Sequence, residues 1–141
     1  MPNEPVLVDT GALASLFNPS DQHHRACAEV AKSLPVGKAY TCWPVITEAT
    51  YLLRRHPAKR DSLLLAVEAG EFQLLSLDVD DLHHLRSIFD KYRDQQIDLA
   101  DAVLLHLADR EDIDDVFTVD RRHFSIFRKR DGSALRLFPN G

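Results

Sequence analysis

The chain holds only two cysteines, Cys27 and Cys42, and they lack CxxC spacing. A disulfide framework is therefore excluded, and the expectation is two reduced thiols in a cytoplasmic protein. Glycine is scarce, at five residues. Neither GxGxxG nor GxxxxGK[ST] occurs, which removes support for a nucleotide cradle built from backbone amides. No stretch approaches the roughly 18 uninterrupted apolar residues of a membrane span. The start, MPNEPVLVD, has no basic region ahead of a long apolar run. Neither a membrane partner nor a signal peptide is expected. Positive charge is also short: 17 Lys and Arg stand against 22 Asp and Glu, for a net charge of −5. That balance disfavours a general nucleic-acid binder. It permits a cluster of acids covered by metal, or a partner with a basic segment. The seven histidines include His23-His24 and His83-His84, but no HExxH and no Cys/His set at zinc spacing. They are expected at the surface.

What is present is ordinary soluble material, 45% hydrophobic and 28% charged. A length of 141 residues suits one domain, residues 1–141. Pro5 to Val8 reads as a first buried strand ending at Asp9. Helical segments are expected over 12–17 and 22–34, the second capped by Ser20 or Asp21. Ala39 to Cys42 is a second strand, and Pro44 opens a helix to about Arg55. A helix over 59–69 closes on Gly70, and 72–75 is a third strand. A helix follows over 78–92. The stretch IDLADAVLLHLADREDIDDVFTVD, residues 97–120, gives a helix, an acidic loop and a strand, Val116 to Val119, that stops at Asp120. Ala134 to Leu137 forms a last, edge strand. Strands alternating with helices predict an α/β fold, a three-layer α/β/α sandwich on a mainly parallel sheet of four to five strands.

In a parallel sheet the acids that follow strands share one edge. Asp9 and Asp120 each follow a strand, Asp101 sits near the start of a helix, and Glu48 lies in the first turns of the Pro44 helix. All of them can converge at the C-terminal edge, where open α/β sheets place ligands. Clustered carboxylates repel, and hard cations relieve the repulsion. An all-oxygen, incomplete ligand set suits Mg²⁺ or Mn²⁺, which keep waters and take phosphate oxygens. The chemistry this opens is in-line phosphodiester hydrolysis by a metal-activated water. Each residue also has a plainer reading. An Asp after a strand is a common turn residue, and Glu48 is a solvated acid favoured by the helix dipole. Asp98-Leu99-Ala100-Asp101 resembles an N-cap, so Asp98 is expected to cap while Asp101 faces the site. Thr10 and Thr118 are either hydroxyls that orient carboxylates or simple turn and strand residues.

Other signals are weaker. Asp112-x-Asp114 begins like a calcium loop, but Phe117 and His123 stand where that loop needs glycine and glutamate. Arg54-Arg55, Arg121-Arg122 and Arg128-Lys129-Arg130 are short basic clusters, suited to RNA phosphates or to plain solvated surface.

Taken in order, Val8-Asp9-Thr10-Gly11-Ala12-Leu13, Thr47-Glu48-Ala49, Asp98-Leu99-Ala100-Asp101-Ala102 and Thr118-Val119-Asp120-Arg121-Arg122-His123-Phe124 resemble a PIN-domain nuclease, specifically the VapC-type toxins of bacterial toxin–antitoxin pairs. The resemblance spans essentially the whole chain. It implies an acidic quartet at Asp9, Glu48, Asp101 and Asp120, use of Mg²⁺ or Mn²⁺, and cleavage of single-stranded or looped RNA. It also implies a homodimer and a small antitoxin that lies along the toxin and blocks its site. Gly11 stands where many relatives have a small hydroxyl residue. The Val8 to Ala12 segment also matches the aspartic-protease signature, but such proteases are mostly β and glycine-rich. A phospho-receiver domain would need an acceptor Asp at the third strand and a later Lys after a strand. A stand-alone PIN-domain RNA-processing nuclease is the enzymatic alternative, and a PIN-like binding module without catalysis the non-enzymatic one.

Overall fold

The computed structural model describes residues 4–140. Five short strands form one sheet: β1 (Val6–Val8), β2 (Ala39–Thr41), β3 (Gln73–Leu74), β4 (Asp115–Phe117) and β5 (Arg136–Phe138). The order across it is β3-β2-β1-β4-β5, and every pair is parallel. Six helices make the crossovers: α1 (Thr10–Leu16), α2 (His24–Ser33), α3 (Trp43–Leu52), α4 (Pro57–Glu68), α5 (Leu82–Lys91) and α6 (Leu99–Arg110). This is the expected α/β/α arrangement, with five strands. Val6, Leu7 and Val8 have no exposed surface because β1 is central and covered on both faces. Pro44 and Pro57 lie in the first turns of α3 and α4, where the missing N–H leaves no bond unmade.

The local differences from the sequence reading have identifiable causes. The helix expected from Asp78 begins instead with a 3-10 turn, Val79–Asp81, and continues as α5. Asp78 accepts the Asp80 amide at 2.9 Å and Asp81 accepts the Asp78 amide at 2.8 Å, so the two carboxylates tighten that first turn. Neither Ser20 nor Asp21 caps α2, whose N-cap residue is His23 without a side-chain cap bond. The Asp21 carboxylate instead accepts the Ser15 hydroxyl and the His23 amide, at 3.0 and 2.8 Å. Strand β4 ends at Phe117, not Val119, although the Thr118 amide still donates to the Phe138 carbonyl at 2.8 Å. Helix α6 buries Ala102, Leu105 and His106 besides its apolar stripe, because it packs on both α5 and α3. His106, 5% exposed, and Lys129, 6% exposed, are therefore corrections to a surface assignment. Lys129 is held by Asp112 at 3.1 Å and Asp114 at 2.7 Å.

Candidate active site

The sheet order reverses direction between β1 and β4, the crevice where doubly wound sheets hold their ligands. Two loops leave the sheet there. The pairing of Val8 with Phe117 sets their register, and the Asp9 amide extends it by donating to the Phe117 carbonyl at 2.9 Å. Asp9 then turns the chain into α1 as its N-cap. One carboxylate oxygen accepts the Thr10 amide at 2.7 Å, and the other accepts the Thr118 hydroxyl at 2.8 Å. The Thr118 hydrogen is shared with the Asp120 carbonyl, 2.9 Å away.

Asp98 and Asp101 form a reciprocal cap at the start of α6. The Asp101 amide donates to Asp98 at 2.9 Å, and the Asp98 amide lies 3.4 Å from Asp101 Oδ2. The same Asp101 oxygen is 2.8 Å from His123 Nδ1. The His123 ring is itself stacked near Phe127, with centroids 6.3 Å apart. Glu48 projects from α3, half-buried. Asp120 is exposed and gripped by Arg122, whose Nε and Nη2 donate to its two oxygens at 3.0 and 2.7 Å.

These side chains share one open pocket of about 360 Å³. Its walls include Asp9, Glu48, Asp98, Asp101 and Asp120, with Thr10, Gly11, Leu52, Gln96, Arg122 and His123. Residues from four separate segments are thus brought to one edge. Thr118 lies behind Asp9 rather than in the wall. Thr10 orients Asp9 through its amide, not its hydroxyl: the hydroxyl is buried with no hydrogen-bond partner among the described residues.

The pocket is short of positive charge. Burial pushes the Asp9 carboxyl up to about 7, against the pull of the Thr10 amide and Thr118 hydroxyl, with Asp101 and Asp98 adding to the rise. Burial and then Asp98 raise Asp101, and its contact with His123 opposes them. Burial, Asp98 and Asp101 likewise raise Glu48. Only Asp120 is lowered, by its hydrogen bonds from Arg122. Carboxylates such as Asp9, Glu48 and Asp101, whose ionisation the pocket disfavours, are the complement of a hard divalent cation. The orphaned Thr10 hydroxyl offers one more oxygen beside Asp9. Among the described residues, no three acidic, histidine or cysteine side chains close on a single point to hold a metal ion. The acids ring the pocket instead, which fits an ion that keeps several of its waters.

The family comparison decides what this arrangement belongs to: the PIN domain model matches residues 6–130. The chain belongs to the PIN domain family. It is 29% identical over 136 residues to Ribonuclease VapC26 of Mycobacterium tuberculosis, covering 95% of this chain and 100% of that protein. Among solved structures, it superimposes on Mycobacterium tuberculosis VapC20, described as a sarcin-ricin loop cleaving toxin, with a TM-score of 0.74 at 18% identity. That match covers 82% of this chain and 90% of VapC20. A toxin–antitoxin complex from Klebsiella pneumoniae matches with a TM-score of 0.67 at 17% identity, over 86% of this chain and 92% of that one. VapBC2 from Rickettsia felis, bound to a promoter DNA fragment, matches with a TM-score of 0.62 at 13% identity, over 94% and 96%. At these identities the structural matches establish the PIN fold.

Besides Gly11 and Leu52, three polar residues of this PIN domain pocket escaped the sequence reading as site residues: Arg122, His123 and Gln96. Arg122 and His123 were on view beside Asp120, but nothing in the spacing says which carboxylate each would meet. Gln96 enters the wall because its left-handed backbone, φ 54°, turns the chain into α6.

Proposed function

We propose that this PIN domain, acting as one unit over residues 1–141, is a metal-dependent endoribonuclease and the toxin of a VapBC-type pair. It works in the cytoplasm until a cognate antitoxin neutralises it. The observation that carries this reading is the set of carboxylates from four separate segments gathered around one open pocket at the sheet's switch point. The named ribonuclease, matched across its full length, supports the reaction class, and the toxin–antitoxin complexes among the fold matches support the partner.

Divalent metals are general among PIN-domain nucleases, and here the ion is Mg²⁺ or Mn²⁺. Once bound, it supplies an acidified water and offsets charge on the scissile phosphate of RNA. Asp9, Asp101 and Asp120 would hold it, directly or through water. Glu48 either joins them or orients the attacking water. The Thr10 amide and Thr118 hydroxyl fix the Asp9 carboxylate, His123 fixes Asp101, and Asp98 caps the helix that presents Asp101. A homodimer would cover the exposed apolar side chains Val79, Leu82 and Leu99, which rim a groove of about 340 Å³.

The test is cleavage of single-stranded RNA by the purified chain with Mg²⁺, with Mn²⁺ and with EDTA, alongside Asp9→Asn and Asp101→Asn. The expected result is ion-dependent cleavage in the parent and near-complete loss in each variant. Full activity in either folded variant, or activity that survives EDTA, overturns the assignment. RNA binding without cleavage overturns it in favour of a silent binding module.

A further inference from the structure

A second concave site lies along α6, away from the acids. Lys91, Arg128, Arg130, His83, His84 and Asp109 line an open pocket of about 270 Å³. Its cations are largely uncommitted. Lys91 Nζ lies 5.2 Å from the Tyr92 ring centroid. Arg128 donates through Nη1 to the carbonyls of Ser125 and Phe127, at 3.1 and 2.8 Å. Arg130 donates through Nε to His84 Nε2, at 3.2 Å, and through its amide to Asp109, at 2.9 Å. Among the described residues none of these three side chains has a carboxylate partner within ion-pair distance. Asp109 is the one carboxylate in the wall, so three fixed cations outweigh it, in a chain whose net charge is −5.

The pocket is built rather than incidental, because a buried relay orients Arg130. The Asp78 amide and then His106 hold the Asp81 carboxyl down at about 2, so it is ionised and can only accept. His106 therefore donates its Nε2–H to Asp81, at 2.6 Å. Arg130 Nε can only donate, so His84 Nε2 must be the acceptor. His84 then carries its hydrogen on Nδ1 and gives it to His106 Nδ1, at 2.7 Å. Every group in the line thus has one role. Burial, Arg130, His106 and His83 lower the His84 proton affinity, while Asp109 opposes them. The guanidinium is thus fixed by Nε, and its two terminal nitrogens have no hydrogen-bond partner among the described residues.

We propose that this pocket is a phosphodiester subsite that holds the backbone of the RNA strand beside the acid pocket. Two guanidiniums and an ammonium with free donors around a concavity match phosphate oxygens. At about 1.5 Å per residue, Leu105 and Asp109 in its wall lie roughly 6 and 12 Å along α6 from Asp101. A strand cut at the acids would pass within reach. Residues 123–130 join the two sites: His123 contacts Asp101, and Arg128 and Arg130 stand at the other end. The proposal rests on the ribonuclease reading and adds to it where the substrate runs.

The test uses the full chain with Lys91→Ala, Arg128→Ala and Arg130→Ala, singly and together. All three side chains are exposed, and exposed Lys38→Ala is the control for loss of one charge. Steady-state cleavage is measured on a long single-stranded oligoribonucleotide and on one of only three nucleotides. Binding of the long strand is followed by anisotropy in EDTA across a salt series. The triple variant is expected to raise KM for the long strand on the order of tenfold or more. Its kcat and its rate on the trinucleotide should be unchanged. The slope of log affinity against log salt should fall by about 0.7 for each phosphate that is no longer neutralised. An unchanged KM and salt slope in the triple variant, with the parent still cutting RNA, overturns the subsite alone. A parent that neither binds nor cuts RNA removes the ribonuclease reading instead. Titration of the pocket by inorganic phosphate, seen in the His84 NMR signals without any RNA binding, overturns the RNA assignment in favour of a free anion.

Discussion

Replacing Asp9 with asparagine should stabilise the fold while abolishing the activity proposed for it. Burial raises this carboxyl from 3.8 to about 7, which corresponds to about 4 kcal/mol against the ionised form in the folded protein. The sign follows from proton binding. Between pH 3.8 and about 7 the folded chain keeps a proton that the unfolded chain has released, so stability falls as pH rises through that window and levels off above it. Asparagine has no proton to lose. Its side-chain oxygen can still accept the Thr10 amide, and its NH₂ can face the Thr118 hydroxyl, which then donates to the Asp120 carbonyl. Removing the charge also relieves Asp101, which sits in the same pocket. At pH 8, without divalent metal, Asp9→Asn should therefore be more stable than the parent by about 2 to 4 kcal/mol. The lower figure applies if the amide meets Thr118 poorly. At pH 4 the two should converge. Urea unfolding followed by circular dichroism, in EDTA and at fixed protein concentration, measures the difference. Adding Mg²⁺ should then raise the parent's midpoint more than the variant's. Parallel stability curves from pH 4 to 9 would refute the reasoning, since they would mean that Asp9 is ionised at no cost in its buried position.

Three further outcomes follow from other parts of the molecule. Asp115 is 3% exposed and meets Arg136 Nε at 2.6 Å, so Arg136→Ala should cost about 2 kcal/mol in urea unfolding. That is less than breaking a wholly buried pair, because Arg136 is mostly exposed and water can replace it; Asp115→Asn should cost less still. A Cβ on Gly11 would lie 2.8 Å from Val119 Cγ2, and a β-branched neighbour yields little. Gly11→Ala should therefore lose about 1–3 kcal/mol, with Val119→Ala in the same chain recovering part of it. Burial pushes the Cys27 and Cys42 thiols up to about 11 and about 12, so iodoacetamide at pH 8 should leave both unlabelled until urea is added.

Much of this PIN domain is legible along the chain because its signals are local. Val6-Leu7-Val8 reads as a doubly covered strand whatever its neighbours, and Pro44, Pro57 and Gly70 mark helix ends through their own backbone restrictions. Asp98 declares itself a cap through its spacing to Asp101. Boundaries were less legible wherever a side chain chose between two local partners, as Asp21 does in accepting Ser15 and His23 instead of capping α2. The surface expectation failed at His106 for a different reason. Nothing in the order of residues reveals that His106 sits between α5 and α6 with Asp81 and His84 as its partners, 25 and 22 positions away.

Residue types and their periodicity determined the layers, the parallel sheet and the list of acids. Which acids stay charged, and what holds each one, was decided by tertiary structure alone. A carboxylate's ionisation depends on its distance from water, donors and like charge in three dimensions. Asp9 and Asp120 look alike along the chain, each soon after a strand. Yet one is buried against Thr118 and pushed toward neutrality, while the other stands in solvent, bound to Arg122 and kept ionised.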